Sequence, residues 1–430
     1  MSFFKIEENN TDVKTEVLAG ITTFMTMAYI IFVNPTILSD SGMPWGAVFT
    51  ATCLSAAFAT FLMGFLANYP FALAPGMGLN AYFSYTVVQQ MGLSWQAALA
   101  AVFISGIIFI VLTLSKVREA IVNAIPMSLK LAVSAGIGLF IALIGFSNAG
   151  IIEANPNTMV ALGDFSEPGT VLAALGLIIT GFLVVRRVKG SLLWGIAITT
   201  VLGIPLGVTN LENFGIFSAP PSLAATFGAF TIGFKEVFDY GIIPIIFAFT
   251  FVDLFDTIGT LVGVSSKAGM LDQDGKLPRA EKALLADSLG TVFGSIVGTS
   301  TVTTFVESAS GVAEGGRTGL TAIVAGTLFL VALFFSPLIG VVPAEATAPV
   351  LIIVGVFMIE PVMKINFSDY LEAIPAFLAI VMMPFAYSIA EGIVFGVLAY
   401  TLLHFLTGRF NKISATMWIL SILFLIRFFV

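Results

Sequence analysis

FTFVDLFDTIGT (249–260) and TSTVTTFVESASGVAEGG (299–316) decide how this chain is read. Both stretches put carboxylates into segments apolar enough to cross a bilayer, where charge is costly and marks function by default. On a helix, Asp253, Asp256, Thr257 and Thr260 fall at i, i+3, i+4 and i+7, which is one face. Glu307, Ser310, Gly311 and Glu314 repeat that spacing. The two polar faces are expected to wall a substrate site.

Composition supports the membrane setting. Of 430 residues, 58% are hydrophobic and 10% charged, against about 25% charged in soluble domains. The mean hydropathy is +1.04, and apolar runs of about 20 residues recur from end to end. A single cysteine, Cys53, excludes a disulfide framework. One histidine, His404, near a span end, reads as structural and argues against a histidine metal site. The polar start MSFFKIEENNTDVKTE does not read as a cleavable signal peptide. There is no HExxH, GxSxG or Walker motif, so no enzyme is expected. No cofactor, metal or nucleic-acid partner is expected either.

Taken in order, hydropathy and breakers predict an all-α polytopic membrane protein of about fourteen spans, seven in each half. A cytoplasmic N-terminus covers 1–16. The first seven spans occupy 17–208, an outside loop with an interfacial helix 209–237, and the second seven 238–407. A tail, 408–430, lies against the membrane surface. The third span of each set is interrupted: FALAPGMGLN (71–80) carries Pro75, Gly76 and Gly78, and TSTVTTFVESASG (299–311) is rich in Thr and Ser. Short extended pieces followed by half-helices fit these better than continuous helices, because irregular backbone is tolerated where protein buries it. Matching interruptions point to an internal repeat and to a transporter's binding site. An odd number of spans per repeat inverts the second half. With the N-terminus inside, all 18 basic residues except Lys235 fall on inside segments, the bias expected of a cytoplasmic face.

The candidates each carry a structural alternative. Asp256 and Asp253 contact substrate or carry a coupling proton, since a carboxyl held away from water can exchange protons near neutral pH. Alternatively they bond to Thr or backbone groups of a neighbouring span. Thr304-Phe-Val-Glu307 matches a capping box, which makes Glu307 either a cap or a ligand at a half-helix start. Asn80 bonds a ligand or clamps the crossing of the interrupted spans. Glu314 and Asp287, nearer span ends, read as solvated or paired with Arg317 or Lys282. The LDQDGK loop (271–276) reads as a turn.

EVLAGITTFMTMAYIIFVNP (16–35), ALAPGMGLNAYF (72–83), FVDLFDTIGTLVGV (251–264) and ADSLGTVFGSIVGTSTVTTFVESASGVAEGGRTGL (286–320) resemble the AzgA-like purine permeases. These are the adenine/guanine/hypoxanthine branch of the nucleobase:cation symporter-2 family. The resemblance implies fourteen spans in two inverted repeats, forming core and gate domains, with short β-strands in spans three and ten. It implies substrate-site roles for Asp256, Glu307 and Asn80. Where uracil-type relatives carry a histidine, this chain has Thr260, which leaves proton coupling to carboxylates. Aromatic residues such as Tyr29 and Phe305 are placed to stack on a base, as aromatics do elsewhere.

The expectation is a secondary active transporter of the cell membrane, importing hypoxanthine, guanine and adenine by proton symport. Substrate would meet Asp256, Glu307, Asn80, Thr260, Phe305 and Tyr29. Glu307, Asp256 or Asp253 would carry the proton. The partners are a purine base, H+, the lipid bilayer and, by family analogy, a second copy of the chain. The alternatives are a same-fold anion exchanger or channel, an intramembrane enzyme, or a symporter for xanthine or uracil or coupled to Na+.

Overall fold

Backbone N–H and C=O groups at membrane depth have no water to bond, so an interrupted span needs partners inside the protein. The computed structural model shows where they lie. It describes residues 3–115, 125–212, 214–240, 242–267, 269–270 and 277–427. The side chains at 240, 242–244, 255–256, 258–259, 262–263, 266–267 and 426–427 lie outside that description. So does the loop 271–276.

The chain is mostly helical, and eight helices among the described residues are long and apolar enough to cross a membrane. Shorter apolar helices occupy Ser191–Gly203, Ile245–Leu254, Tyr370–Phe385 and Ala415–Leu425. Chain contacts divide it into two compact units, Met1–Val111 with Gly145–Val350, and Leu112–Ile144 with Leu351–Val430.

The first unit opens with α1 (Val13–Met27) and α2 (Ile30–Ser39), which form one span, followed by α3 (Trp45–Leu62). Strand β1 (Leu73–Pro75) leads directly into a half-helix, α4 (Met77–Ala81), which continues as a wider helical coil to Gln90. Then come α5 (Trp95–Leu114) and α6 (Met127–Asn148). The loop after α6 folds as a hairpin of β2 (Ile152–Asn155) and β3 (Met159–Leu162). Next are α7 (Pro168–Val185) and α8 (Ser191–Gly203). The stretch expected to lie at the interface is helical, α9 (Phe230–Tyr240), and its Phe230 stacks on Phe103 of α5 with centroids 4.4 Å apart. α10 (Ile242–Lys267) and α11 (Ala280–Val297) precede β4 (Val302–Thr304) and a second half-helix, α12 (Ser308–Ala313). α13 (Gly319–Ala332) starts a span that runs to Gly340.

At the centre, β1 and β4 pair antiparallel, with Leu73 opposite Thr304, Ala74 opposite Thr303 and Pro75 opposite Val302. All six residues are buried. The outer edges are closed by side chains. Thr60 of α3 bonds both Leu73 N (2.9 Å) and Leu73 O (3.0 Å). Thr291 of α11 does the same to Val302 N and O, both at 3.1 Å. Gly76 N to Thr301 O and Phe305 N to Ala72 O, each 3.0 Å, extend the ladder at both ends.

The second unit holds part of α6, the later part of α14 (Ala344–Ile359), α15 (Tyr370–Phe385), α16 (Ile389–Leu406) and α17 (Ala415–Arg427). Its core is small: Ala132, Ala135, Ala376, Ala379 and Ile380. Small residues let backbones approach closely. A Cβ on Gly355 would stand 2.6 Å from Gly138 O. The tail helix α17 packs along α16, where Ser421 Oγ donates to Thr401 Oγ1 at 2.7 Å. His404 is buried, stacked on Tyr400 and bonded to its carbonyl.

Candidate functional site

The two half-helices start from the paired strands, so residues flanking the ladder are held in fixed positions. Glu307 is one of them. It sits at the N-cap of α12 and makes no cap bond through its side chain. The capping box is therefore corrected: Thr304 is committed to β4, and the helix begins four residues further on, at Ser308. Pairing with β1 overrides the local T-x-x-E pattern. The carboxylate instead accepts a hydrogen bond from Tyr29 Oη, 2.6 Å from Oε1. Tyr29 is buried, and its ring lies 6.4 Å from that of Phe305, tilted by 44°. Glu307 itself keeps partial exposure.

Asn80 lies in α4 on the other strand's half-helix and is fully buried. Its Oδ1 accepts from Ser300 Oγ, just before β4. Its Nδ2 has no partner among the described residues. The amide thus clamps the crossing and still has a donor to give. On the same segment, Asn34 of α2 donates to Thr299 Oγ1 (2.9 Å) and to Thr52 Oγ1 (2.7 Å).

Asp253 is buried on α10 and faces the ladder. The Thr257 hydroxyl lies 3.4 Å from Asp253 Oδ1, 3.0 Å from Asp287 Oδ1 and 2.9 Å from Thr303 Oγ1. A hydroxyl has one proton to donate, so Thr257 can serve one carboxylate at a time, Asp287 at the shorter distance, while accepting from Thr303 Oγ1. This corrects Asp287, which is buried on α11 rather than solvated or ion-paired with Lys282. Thr260 is partly buried on α10. The side chain of Asp256 lies outside the described residues.

The residues of the second polar face have separate neighbours. Gly311 packs against α1, where an added Cβ would overlap Thr23 Oγ1 and stand 2.7 Å from Ala19 O. Glu314 pairs with Lys189 in the turn between α7 and α8, not with Arg317. Arg317 spends its guanidinium on the Val312 and Gly316 carbonyls (2.7 and 2.8 Å). Among the described residues no cluster of three or more His, Cys, Asp or Glu side chains could hold a metal ion.

Sequence reasoning missed the two strand-edge threonines and Glu16. Buried Glu16 accepts from Arg317 N, Thr318 N, Thr321 N and Thr321 Oγ1, at 2.6 to 3.3 Å. It therefore caps the start of α13 from the start of α1. Its only sequence signal was a carboxylate at the edge of an apolar run.

Comparison with known proteins agrees with this architecture. The adenine permease AdeP of Escherichia coli is 47% identical over 424 residues, covering 99% of this chain and 94% of that protein. The guanine/hypoxanthine permease PbuG of Bacillus subtilis is 47% identical over 436 residues, covering 99% of each. The transmembrane domain of the cyanobacterial bicarbonate transporter BicA superposes with a TM-score of 0.67 at 16% identity, covering 89% of this chain and 97% of that one, which establishes a shared fold. A single family model, the Xan_ur_permease model described as "Permease family", matches residues 14–423. The chain is a multi-pass membrane protein of the nucleobase:cation symporter-2 permease family, and its relatives there include adenine and guanine/hypoxanthine permeases.

Proposed function

We propose that this permease imports purine nucleobases, namely hypoxanthine, guanine and adenine, together with protons by alternating access. The observation that carries the reading is the Tyr29–Glu307 pair at the start of a half-helix. Tyr29 occupies Oε1 and steadies the carboxylate, so Oε2 is the oxygen offered to a ligand. Planar N–H donors on a purine edge suit a carboxylate acceptor, with charge-assisted bonds. The spare Asn80 Nδ2 supplies a donor for a carbonyl or ring nitrogen. Phe305 and Tyr29 supply aromatic surface, and Thr260 and Asp256 complete the set from α10. Glu307, Asp256 or Asp253 carries the proton. The substrate class follows the relatives, whose names specify adenine and guanine/hypoxanthine.

The protein works in the cell membrane with its N-terminus in the cytoplasm, as a homodimer. The repeats are 17–208 and 238–407. The test is uptake of labelled hypoxanthine into proteoliposomes under an inward proton gradient without Na+, with unlabelled adenine, guanine, xanthine and uracil as competitors. Accumulation abolished by a protonophore is the expected result. Accumulation only with Na+ replaces the coupling ion, and none under either gradient in sealed vesicles removes the substrate assignment.

A further inference from the structure

α12 is a single short stretch of helix with a carboxylate at each end, Glu307 at its N-cap and Glu314 at its C-cap. Glu314 is ion-paired with Lys189, and both side chains retain exposure, 32% and 61%. Lys189 belongs to the turn between α7 and α8. The next residue, Gly190, has φ +68° and packs against α1, where an added Cβ would lie 3.2 Å from Met25 O. One turn therefore touches α1, which leads to Tyr29, and α12, which begins at Glu307. The Tyr29–Glu307 hydrogen bond ties the junction of α1 and α2, where Tyr29 is the N-cap of α2, to the start of α12.

We propose that the Lys189–Glu314 pair is a latch on the α7–α8 turn that holds the Glu307 half-helix in its closed position, and that it opens when the site is exposed on that face. This inference rests on the alternating-access reading above. An exposed ion pair is weak, and its weakness suits a contact broken in every cycle. Removing it raises the open-to-closed ratio by about 1.4- to five-fold, the range measured for exposed pairs. A buried pair would lock the helix instead.

The test uses cysteine labelling, because the only cysteine, Cys53, is buried. Ser310→Cys places a reporter on α12 at a partly exposed position. An impermeant maleimide is applied to inside-out vesicles, the side expected to carry the Arg186–Lys189 turn. Lys189→Gln and Glu314→Gln are each expected to raise the labelling rate about 1.4- to five-fold. The double reversal Lys189→Glu with Glu314→Lys is expected to restore the parental rate, and Lys189→Arg to leave it unchanged. Unchanged labelling in both single variants overturns the latch. A rise that the reversal does not restore overturns it too, because the effect then belongs to the separate side chains. Labelling needs no substrate, so an error in the purine assignment leaves this readout intact.

Discussion

Thr60 and Thr291 do the same job on opposite edges of one two-stranded ladder: each hydroxyl bonds the N–H and the carbonyl of the strand residue beside it, Leu73 for Thr60 and Val302 for Thr291. Each threonine belongs to the helix that precedes its strand, α3 before β1 and α11 before β4, as the proposed repeat would require.

Removing one of these hydroxyls leaves two buried backbone groups without partners, at about 1–3 kcal/mol each. Thr291→Val and Thr60→Val are each expected to destabilise the protein by about 2–6 kcal/mol. Thermal unfolding in detergent measures this, and Thr291→Ser, which keeps the hydroxyl, should retain most of the stability.

The Tyr29–Glu307 bond predicts a graded pair of transport defects. Tyr29→Phe removes one hydrogen bond to a charged group and should raise the KM for hypoxanthine about ten-fold. Glu307→Ala should reach the membrane yet lose uptake. Uptake at several substrate concentrations, normalised to the amount of protein in the membrane, separates the two. Normal uptake in Glu307→Ala would remove this residue from the site.

Glu16 serves donors from three residues at the start of α13, so its loss is a structural rather than a transport lesion. Glu16→Ala is expected to cost about 2–4 kcal/mol, more than an ordinary cap because the site is buried. The substrate KM of the protein that remains folded should be unchanged. A changed KM with parental stability would reverse that assignment.

Asp12 caps α1, accepting from Thr15 N at 3.0 Å and from Thr15 Oγ1 at 2.8 Å. These bonds hold its carboxyl below the usual carboxylate range. A depressed acid contributes stability above its unfolded pKa and loses that contribution as pH falls through its folded one. Melting curves below about pH 4 should therefore show the parent losing more stability than Asp12→Ala, and the two converging as the cap protonates. Parallel losses would show that the cap is not the titrating group.

Span positions and breaks were legible because they are local. Apolar length sets a span, and Pro75-Gly76 or a Thr-rich run interrupts it. Placement of Asn80 and Glu307 beside the crossing followed from those breaks. The bonds that complete the site did not, because they join distant segments: Tyr29 to Glu307, Thr257 to Asp287, and Glu16 to Thr321. Where a local rule competed with a distant one, the distant one won. Thr304 resembles a helix cap but serves as a strand residue because Leu73 lies opposite it. Asp287 and Glu314 were read from their nearness to charged neighbours in sequence, and folding gave each a different partner.

The β1–β4 pairing also dictates an order of manufacture. Strand β1 is synthesised roughly 230 residues before its strand partner, β4. At about 5–20 residues per second, the ribosome takes roughly 10 to 50 s to deliver β4. Through that interval Leu73–Pro75 has the Thr60 edge but no opposing strand. The nascent first half must then be sheltered by the insertion machinery or kept out of the bilayer core. A chain cut between its halves would yield a membrane fragment with an open strand edge, a substrate for quality control rather than half a permease.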